Sequence, residues 1–389
     1  MSVVAPHGFV AGGVACGIKA SGDPDLSLVA TDDGAPVAAA GVFTQNLVVA
    51  APVVVSRRHL AASGGLAAAL VLSSGNANAA TGERGEADAT EMCALTAAQL
   101  GCGTEHVLVC STGLIGYPLP MDALRSGIPA VAAARDSGPG GGSAAADAIM
   151  TTDTRRKEAV ARFDGFTVGG MAKGAAMLAP DMATMLAVLT ADAAVEPAVL
   201  TEVLRAGVAD SFNAMTVDGC TSTNDTVLLL ASGRAGVPDA AAFAAAVADV
   251  CLDLARQMVG DAEGHTKVVT VRVTGAASDA EARQAARKVA ESQLAKCSWF
   301  GGDPYWGRVA SDLGTAGVKL DPAELTIAYG GTVVSRGYVG IEHDAAAVAE
   351  HMAGEHLEVR CDLGVGDGHA RVLTNDLAPG YIDENKGTS

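Results

Sequence analysis

The stretch Met171-Ala-Lys-Gly-Ala-Ala-Met-Leu-Ala-Pro-Asp-Met-Ala-Thr-Met-Leu186 sets one hydroxyl, that of Thr184, among mostly small and apolar residues. If the bond between Ala183 and Thr184 is cut, Thr184 becomes an N-terminal residue that carries both a nucleophile and a base. A free α-amine has a pKa of about 8, so roughly a tenth of it is neutral at pH 7. Such a threonine needs no histidine beside it. Taken alone, the residue is also consistent with a buried core threonine.

The composition indicates a large interior built from small residues. The chain has 389 residues, of which 49% are hydrophobic but only 4% aromatic, so Ala, Val, Leu and Met must pack closely. Lys and Arg number 26 against 44 Asp and Glu, a net charge of −18. With no basic block, nucleic acid and anionic membranes are poor partners. Without a signal-like N-terminus or a 20-residue apolar run, we expect a cytoplasmic protein.

Cysteine and histidine usage gives no sign of a metal centre. The eight cysteines form no CxxC pair and do not cluster with histidine, and no two histidines have HxxxH or HExxH spacing. We therefore expect reduced, mostly buried thiols, no bound metal and no resident cofactor.

Strand-like segments come before the first convincing helix, so the pattern is not an alternation of strands and helices. The residue pattern predicts early strands at Leu26–Ala30, Val48–Ser56 and Ala69–Ser73, then a helix at about 86 to 100. A capping box at Ser278–Glu281 predicts a helix through about Lys296. Further predicted elements are a helix at Asp239–Met258 and strands at Val107–Val109, Val268–Val273, Leu325–Tyr329, Leu357–Cys361 and Ala370–Thr374. Together they favour α+β layering, with largely antiparallel or mixed sheets and helices on their outer faces. Ser137–Ser143 is predicted to be a flexible exposed loop.

Several segments are candidates for a site. Ser74–Gly82 places two asparagines after a strand, which suits either an Asx-type turn or a support for a site. Thr112-Gly113 also follows a strand and could aim a hydroxyl and an N–H at an oxyanion. Lys173 is an isolated cation that would be costly to bury alone, so it points to a polar site or an anionic ligand. Glu263 suits either a surface turn or a site. The glycine clusters lack the context of a phosphate-binding loop.

Read together, the segments resemble the ornithine acetyltransferase family, also called the glutamate N-acetyltransferase family, nearly from end to end. The motifs that carry the resemblance, in family order, are Phe43-Thr-Gln-Asn46 with Ala51-Pro52, Ser74-Gly-Asn-Ala-Asn78, Cys110-Ser-Thr-Gly113, Ile149-Met-Thr-Thr-Asp153, Lys173-Gly174, Ala183-Thr-Met-Leu186, Ser211-Phe-Asn213, Thr221-Ser-Thr-Asn-Asp-Thr226, Glu263-Gly264, and Asp303-Pro304 with Trp306-Gly-Arg308.

The resemblance implies a four-layer αββα fold similar to N-terminal nucleophile hydrolases. It also implies autoproteolysis between Ala183 and Thr184 into an α fragment, 1–183, and a β fragment, 184–389. The two fragments would form one intertwined globular unit and assemble as an α2β2 heterotetramer.

The implied activity is acetyl transfer from N2-acetylornithine to glutamate, in arginine synthesis, through an acetylated Thr184 in a ping-pong scheme. Thr112 and Gly113 match the oxyanion pair of the family. The positions that match its substrate-binding residues are Thr151 or Thr152, Lys173, Thr184, Glu263, Asn385, and a C-terminal hydroxyl, Thr388 or Ser389. Acetyl-CoA is open as a second acyl donor.

The chain departs from the family pattern at a few positions near these motifs. His265 stands where a small residue is usual, Tyr305 replaces an asparagine, Cys220 replaces an aspartate, and the tail after Asn385 is short. These changes leave open a paralogue with another acyl donor or acceptor. An N-terminal nucleophile aminopeptidase or amidase, and a silent amino-acid-binding protein, are further alternatives.

Overall fold

The computed structural model describes residues 2–179 and 185–387, which form two compact units. The first unit comprises residues 1–213 and 220–258, and the second comprises residues 214–219 and 259–389. The boundary expected from autoproteolysis, between fragments 1–183 and 184–389, therefore falls inside the first unit. That the chain is divided there stays a prediction.

The first unit contains ten strands and six helices within the described residues. Its strands are β1 (Phe9–Val14), β2 (Leu26–Thr31), β3 (Val37–Phe43), β4 (Leu66–Ala67), β5 (Ala69–Asn76), β6 (Val107–Leu114), β7 (Lys157–Phe163), β8 (Phe166–Lys173), β9 (Leu186–Ala193) and β10 (Thr226–Gly236). Its helices are α1 (Ala51–Ala62), α2 (Gly82–Leu100), α3 (Met121–Ala134), α4 (Pro139–Ala148), α5 (Pro197–Ala209) and α6 (Ala240–Val259).

Two sheets pack face to face between helices in this unit. One sheet has the order β1-β2-β5-β6 and the other the order β4-β3-β10-β9-β8-β7. Along β5, Leu70 and Leu72 pack in the core shared with the second sheet, whereas Ala69 and Val71 pack against α1, α2 and α3. On the outer face of the second sheet, Gly170 lies against α6. The predicted four-layer αββα arrangement is therefore confirmed, and β5 is hydrophobic on both faces because it is covered on both.

The second unit is one sheet with helices on one face. Its strands are β11 (Val268–Ala276), β12 (Thr326–Tyr329), β13 (Thr332–Arg336), β14 (Val339–Gly340), β15 (His356–Asp362) and β16 (Gly368–Asn375). Its helices are α7 (Asp279–Ala290), α8 (Gln293–Phe300), α9 (Trp306–Gly314), α10 (Ala345–Ala353) and α11 (Pro379–Asn385). The sheet order is β14-β13-β12-β15-β11-β16. Val269, Val271 and Val273 pack in a core with residues of α7 to α10, and Arg272 between them is exposed, as the period-2 pattern requires.

The strand predicted at Val48–Ser56 is wrong, because a helix, α1, begins at Ala51. Pro52 lies in its first turn, where the fixed φ of proline suits a helix and its missing N–H is not needed. Val53 and Val55 are buried on the helix, so the branched residues reflect burial and not a strand. Tertiary packing overrides their β propensity here.

The flexible loop predicted at Ser137–Ser143 is also wrong, since helix α4 begins at Pro139. The glycines serve close packing. A Cβ at Gly141 would lie 2.4 Å from the carbonyl oxygen of Asp136 and 2.5 Å from that of Ala11. On β1, a Cβ at Gly13 would lie 2.0 Å from the carbonyl oxygen of Ala144. Helix and strand approach so closely that only glycine fits.

The helix predicted after the capping box is confirmed at its start. The Ser278 hydroxyl accepts a hydrogen bond of 3.2 Å from the Glu281 N–H. The predicted end near Lys296 is wrong, because α7 ends at Ala290 and α8 starts anew with Ser292 as its N-cap, accepting from the Ala295 N–H at 3.3 Å. A second N-cap serine inside the predicted span was the signal for two helices.

All eight cysteines lie in the described ranges and carry free thiols. Four are buried, two are partly buried, and Cys220 and Cys297 are exposed. Among the described residues, no helix is long and apolar enough to cross a membrane, and no group of three or more His, Cys, Asp or Glu side chains is arranged to hold a metal ion.

Candidate active site

Thr112 and Gly113 lie near the end of β6, where that strand pairs in parallel with β5. Thr112 is opposite Ser74, and Gly113 is opposite Gly75, just before the register shifts at Asn76. Gly113 has φ +130°, and a Cβ there would lie 2.3 Å from the carbonyl carbon of Gly75. The backbone at this position therefore tolerates only glycine, and the ladder becomes irregular at Asn76, which pairs with both Thr112 and Leu114.

The asparagine-rich segment after β5 forms a turn closed by side-chain hydrogen bonds. The Asn76 carboxamide accepts from the Asn78 N–H at 2.8 Å and donates to the carbonyl oxygens of Tyr117 and Pro118 at 3.2 and 3.0 Å. Asn78 is buried with φ +48°, a conformation that asparagine tolerates better than most residues. The segment is thus the Asx-type turn considered above, and it also fixes the chain that follows β6.

Lys173 and Thr112 come together although 61 residues separate them in sequence. Lys173 is the last residue of β8, and its ammonium donates to the Thr112 hydroxyl oxygen at 3.3 Å. The lysine is 8% exposed. The structure therefore places Lys173, which was predicted to face a polar site or an anionic ligand, in contact with the predicted oxyanion pair.

Asp153 supplies the negative charge beside these groups. Its carboxylate accepts hydrogen bonds from the Lys157 ammonium at 2.6 Å, from the Gly174 N–H at 2.7 Å and from the Thr151 N–H at 3.0 Å. Burial alone would raise the pKa of this carboxyl, but the charges of Lys173 and Lys157 and the bonds it accepts lower it to about 2. Asp153 is therefore ionised, and it stabilises the positive charges of Lys157 and Lys173.

The two threonines predicted to contact substrate differ in their surroundings. Thr151 is partly buried and is tied through its backbone N–H to Asp153. Thr152 is exposed and lies outside this set of hydrogen bonds. The geometry therefore favours Thr151 as the member of the pair that stays beside the lysines.

The chain on either side of the expected scissile bond is anchored to one segment. The Ala179 N–H donates to the Cys220 carbonyl at 3.1 Å, and the Thr226 N–H donates to the Met185 carbonyl at 3.0 Å. The predicted residues Ala183, Thr184, Thr388 and Ser389 lie outside the described residues. The anchoring segment is the polar run Thr221-Ser-Thr-Asn-Asp-Thr226 together with Cys220.

Asn224, in that run, is a positioning residue that the sequence did not single out. It is buried, and its side-chain amide donates to the carbonyl oxygens of Ala77 at 2.6 Å and of Ser111 at 2.9 Å. The Thr223 hydroxyl donates to its side-chain oxygen at 2.6 Å. Asn224 thus ties the residue before Thr112 to the asparagine turn. Its place in a run of polar residues directly before β10 marks it as a polar position, but its two carbonyl partners lie far away in sequence.

In the second unit, the predicted residues Glu263 and Asn385 lie together. The Asn385 amide donates to a Glu263 carboxylate oxygen at 2.6 Å. Helix α11, which carries Asn385, packs directly on the following residue, because a Cβ at Gly264 would lie 2.0 Å from the Tyr381 nitrogen. Glu263 is 6% exposed, so it is not the solvated surface carboxylate of the alternative interpretation.

The departures from the family pattern have separate surroundings. The His265 Nδ1 lies 2.5 Å from the Ala262 carbonyl oxygen, in the same turn as Glu263. Tyr305 is exposed, and the Arg308 guanidinium lies over its ring at 5.8 Å from the centroid. Of His265 and Tyr305, the histidine is the one next to a predicted site residue.

A sequence model of the ArgJ family matches residues 10–387. The chain belongs to the ArgJ family. It is 48% identical over 394 residues to the arginine biosynthesis bifunctional protein ArgJ of Mycolicibacterium paratuberculosis, covering 100% of this chain and 96% of that protein. The ArgJ protein of Mycobacterium tuberculosis is 49% identical over 394 residues, with the same shares covered.

Solved ArgJ-family structures are also similar to parts of this chain. The ornithine acetyltransferase of Mycobacterium tuberculosis, solved in complex with ornithine, is 47% identical with a TM-score of 0.45, covering 47% of this chain and 95% of that one. The ArgJ protein of Bacillus halodurans is 33% identical with a TM-score of 0.49, covering 51% of this chain and 96% of that one.

Proposed function

We propose that this ArgJ-family chain is an acetyltransferase of arginine biosynthesis that moves an acetyl group from N2-acetylornithine to glutamate. In this proposal the chain cuts itself between Ala183 and Thr184, and Thr184 then carries the acetyl group in a ping-pong scheme. The observation that carries the proposal is the contact between Lys173 and Thr112 beside the glycine-only position Gly113.

The Lys173 contact determines what the Thr112 hydroxyl can do. An ammonium is only a donor, so the Thr112 oxygen accepts and its own hydrogen remains available to another acceptor. That hydrogen and a backbone N–H at Gly113 can stabilise the oxyanion that forms when a nucleophile attacks the acetyl carbonyl. One such donor is typically worth about 3 kcal/mol in the transition state.

The proposed reaction has two balanced halves. The Thr184 hydroxyl attacks the acetyl carbonyl of N2-acetylornithine, and the hydroxyl proton passes to the free α-amine of Thr184. Ornithine leaves when this α-amine gives the proton to the departing amine nitrogen of ornithine. The neutral amine of glutamate then attacks the acetyl ester, and Thr184 regains its hydroxyl proton. No water enters either half, which distinguishes the transferase from a hydrolase.

The charges suit amino-acid substrates. Lys173 would bind a carboxylate of donor and acceptor. Glu263 would bind a substrate amino group, because Asn385 uses one of its carboxylate oxygens and the other can accept. The proposal further includes contacts from Thr151 and from a C-terminal hydroxyl, Thr388 or Ser389. An α2β2 assembly, and acetyl-CoA as a second donor, also belong to it.

The test combines intact mass with an acetyl-transfer assay. Wild-type protein should give two fragments, the second beginning at Thr184, and should form N-acetylglutamate from N2-acetylornithine only when glutamate is present. Thr184→Ala should stay uncut and lose activity by at least about a thousandfold, because it removes nucleophile and cleavage together. Thr184→Ser, which keeps a hydroxyl, serves as the control and should retain cleavage.

Other outcomes identify the alternatives. Glutamate-independent release of acetate as the main reaction would favour the aminopeptidase or amidase. Transfer to another acceptor in preference to glutamate would favour a paralogue. A single uncut 389-residue chain without turnover would contradict the proposal.

A further inference from the structure

The loop between β1 and β2 is folded around one buried carboxylate. Asp25 has no exposed surface and accepts backbone hydrogen bonds from four successive residues, Cys16, Gly17, Ile18 and Lys19, at 2.7, 3.1, 2.6 and 3.0 Å. Burial raises the pKa of this carboxyl, but the backbone hydrogen bonds outweigh it and the pKa is lowered. The loop is therefore held in one shape by an anion whose acceptor capacity is in use.

This shape sets the stem of Lys19 against Gly75, on the strand that pairs with Thr112 and Gly113. A Cβ at Gly75 would lie 3.0 Å from the Lys19 Cγ and 3.2 Å from the Ile18 Cγ2. Gly75 is the register partner of Gly113 across β5 and β6. Lys19 thus lies beside the strand end that carries Thr112, whose hydroxyl contacts Lys173.

The ammonium of Lys19 has unused donor capacity. Within the described residues its one hydrogen bond is to the Pro24 carbonyl at 2.7 Å, and two N–H groups remain for another acceptor. Burial is the main cause of its lowered pKa; the charges of Asp25, Asp23 and Asp153 oppose it, and that of Lys173 lowers it further. The charge of Lys173 therefore acts on the Lys19 ammonium, and a bound anion would stabilise both charges.

We propose that Lys19 is a second carboxylate-binding residue of the acetyl-transfer site and that it selects an amino acid with two carboxylates as acceptor. The inference rests on the proposed function and assigns a role within it. In this proposal Lys173 binds one carboxylate and Lys19 binds the second. N2-acetylornithine has one carboxylate and glutamate has two, so only the acceptor engages both lysines.

The competing role for Lys19 is structural, through its bond to Pro24. A structural role affects every substrate alike, whereas a carboxylate contact affects only the ligand that has the extra carboxylate. Glutamine differs from glutamate by the loss of that charge at nearly constant shape. The comparison of the two acceptors on two proteins therefore isolates the contact.

The experiment compares wild-type protein with Lys19→Met, Lys19→Arg and the control Lys319→Met, an exposed lysine of the second unit. Acetyl transfer to glutamate and to glutamine is measured with N2-acetylornithine as donor. In parallel, L-glutamate and L-glutamine are titrated into each protein by calorimetry, which requires no turnover.

We expect Lys19→Met to raise the KM and the dissociation constant for glutamate by roughly ten- to a hundredfold, the usual worth of a charged hydrogen bond. The KM and dissociation constants for glutamine and N2-acetylornithine should change by less than about threefold, and kcat should stay unchanged. Lys19→Arg should recover part of the lost affinity for glutamate. Equal changes for glutamine and glutamate, or none for either, would overturn the inference.

The design separates the two proposals. One outcome is that wild-type protein transfers no acetyl group while Lys19→Met selectively weakens glutamate binding. In that case the proposed function is wrong and the role of Lys19 in glutamate binding stands. If transfer occurs without selective loss, only the role of Lys19 falls. If wild-type protein shows neither transfer nor glutamate binding, both fall.

Discussion

Asp153 links two lysines and two backbone N–H groups at the base of the candidate site. Both side chains of its ion pair with Lys157 are fully buried, and the charge of Lys173 lowers the pKa of the Asp153 carboxyl. A buried ion pair adds little net stability, but removing one partner is costly because the other charge stays buried. The role of Asp153 is therefore to hold the cations in place.

The stability of the chain should depend on pH through this carboxyl. Its pKa is about 2 in the folded chain against an ordinary value of 3.8. A carboxyl with a lowered folded-state pKa contributes stability that is complete above its unfolded pKa and is lost as pH falls through the folded value. The wild-type free energy of unfolding should therefore fall steeply between about pH 4 and pH 2.

Asp153→Asn should lower the free energy of unfolding at pH 7 by about 3 to 5 kcal/mol and remove this part of the acid dependence. Urea unfolding at pH 7, 4 and 3 measures both effects. Asp164→Asn, at an exposed position in the turn between β7 and β8, is the matched control. An unchanged acid slope in Asp153→Asn would contradict the assignment.

Sequence reasoning found site residues that lie in distinctive local patterns, and missed those defined by distant partners. Lys173 is recognisable as a cation in an uncharged stretch, and in the structure its ammonium donates a hydrogen bond to the Thr112 hydroxyl. Asn224 bonds to Ser111 across 113 residues, and no local pattern reveals that contact. The position of Lys19 is set by a loop that folds around the Asp25 carboxylate, so it could be seen only in the folded chain.

At the scale of elements, two adjacent glycines of α4, Gly140 and Gly141, have unequal roles. Gly141 faces the backbone of β1 and of the preceding turn, whereas a Cβ at Gly140 would meet nothing within 4 Å. Both carry the ordinary cost of glycine in a helix. Only one of them is required by packing.

Two single substitutions in α4 should therefore act in opposite directions. Gly141→Ala should lower the free energy of unfolding by about 1 to 3 kcal/mol, because the methyl group overlaps two carbonyl oxygens. Gly140→Ala should raise it by up to about 1 kcal/mol through helix propensity. Denaturant unfolding of the two variants tests this, and a stabilised Gly141→Ala would refute the close approach.

The elements that sequence predicted well are those with a strong local signal. The cap of α7 at Ser278 and the alternating β11 follow from nearby residues alone. The failures at α1 and α4 share a cause. Valines and glycines were interpreted by propensity, whereas burial of α1 and contact of α4 with β1 decide their conformation.

At the scale of the whole molecule, strand pairing joins the two expected fragments within the first unit. β8 belongs to fragment 1–183 and pairs with β9 of fragment 184–389 over six residue pairs. β3 and β10 make a second such connection, also over six pairs. Both ladders lie in one sheet whose inner face is buried in a shared core.

If the chain is cut before Thr184, the two fragments should stay together under native conditions. They should co-elute in size-exclusion chromatography at the volume of the uncut Thr184→Ala chain and separate only in denaturant. The physical reason is that separation would expose ladder hydrogen bonds and core residues at once. Elution of two smaller species in native buffer would contradict this.

The pairing of Lys173 with Leu186 closes the β8–β9 connection. In polymer terms, Lys173 and Leu186 are the two fixed ends of the connection between β8 and β9. The entropy of closing such a segment grows only with the logarithm of its length. The stability of the sheet should therefore depend only weakly on the length of this connection.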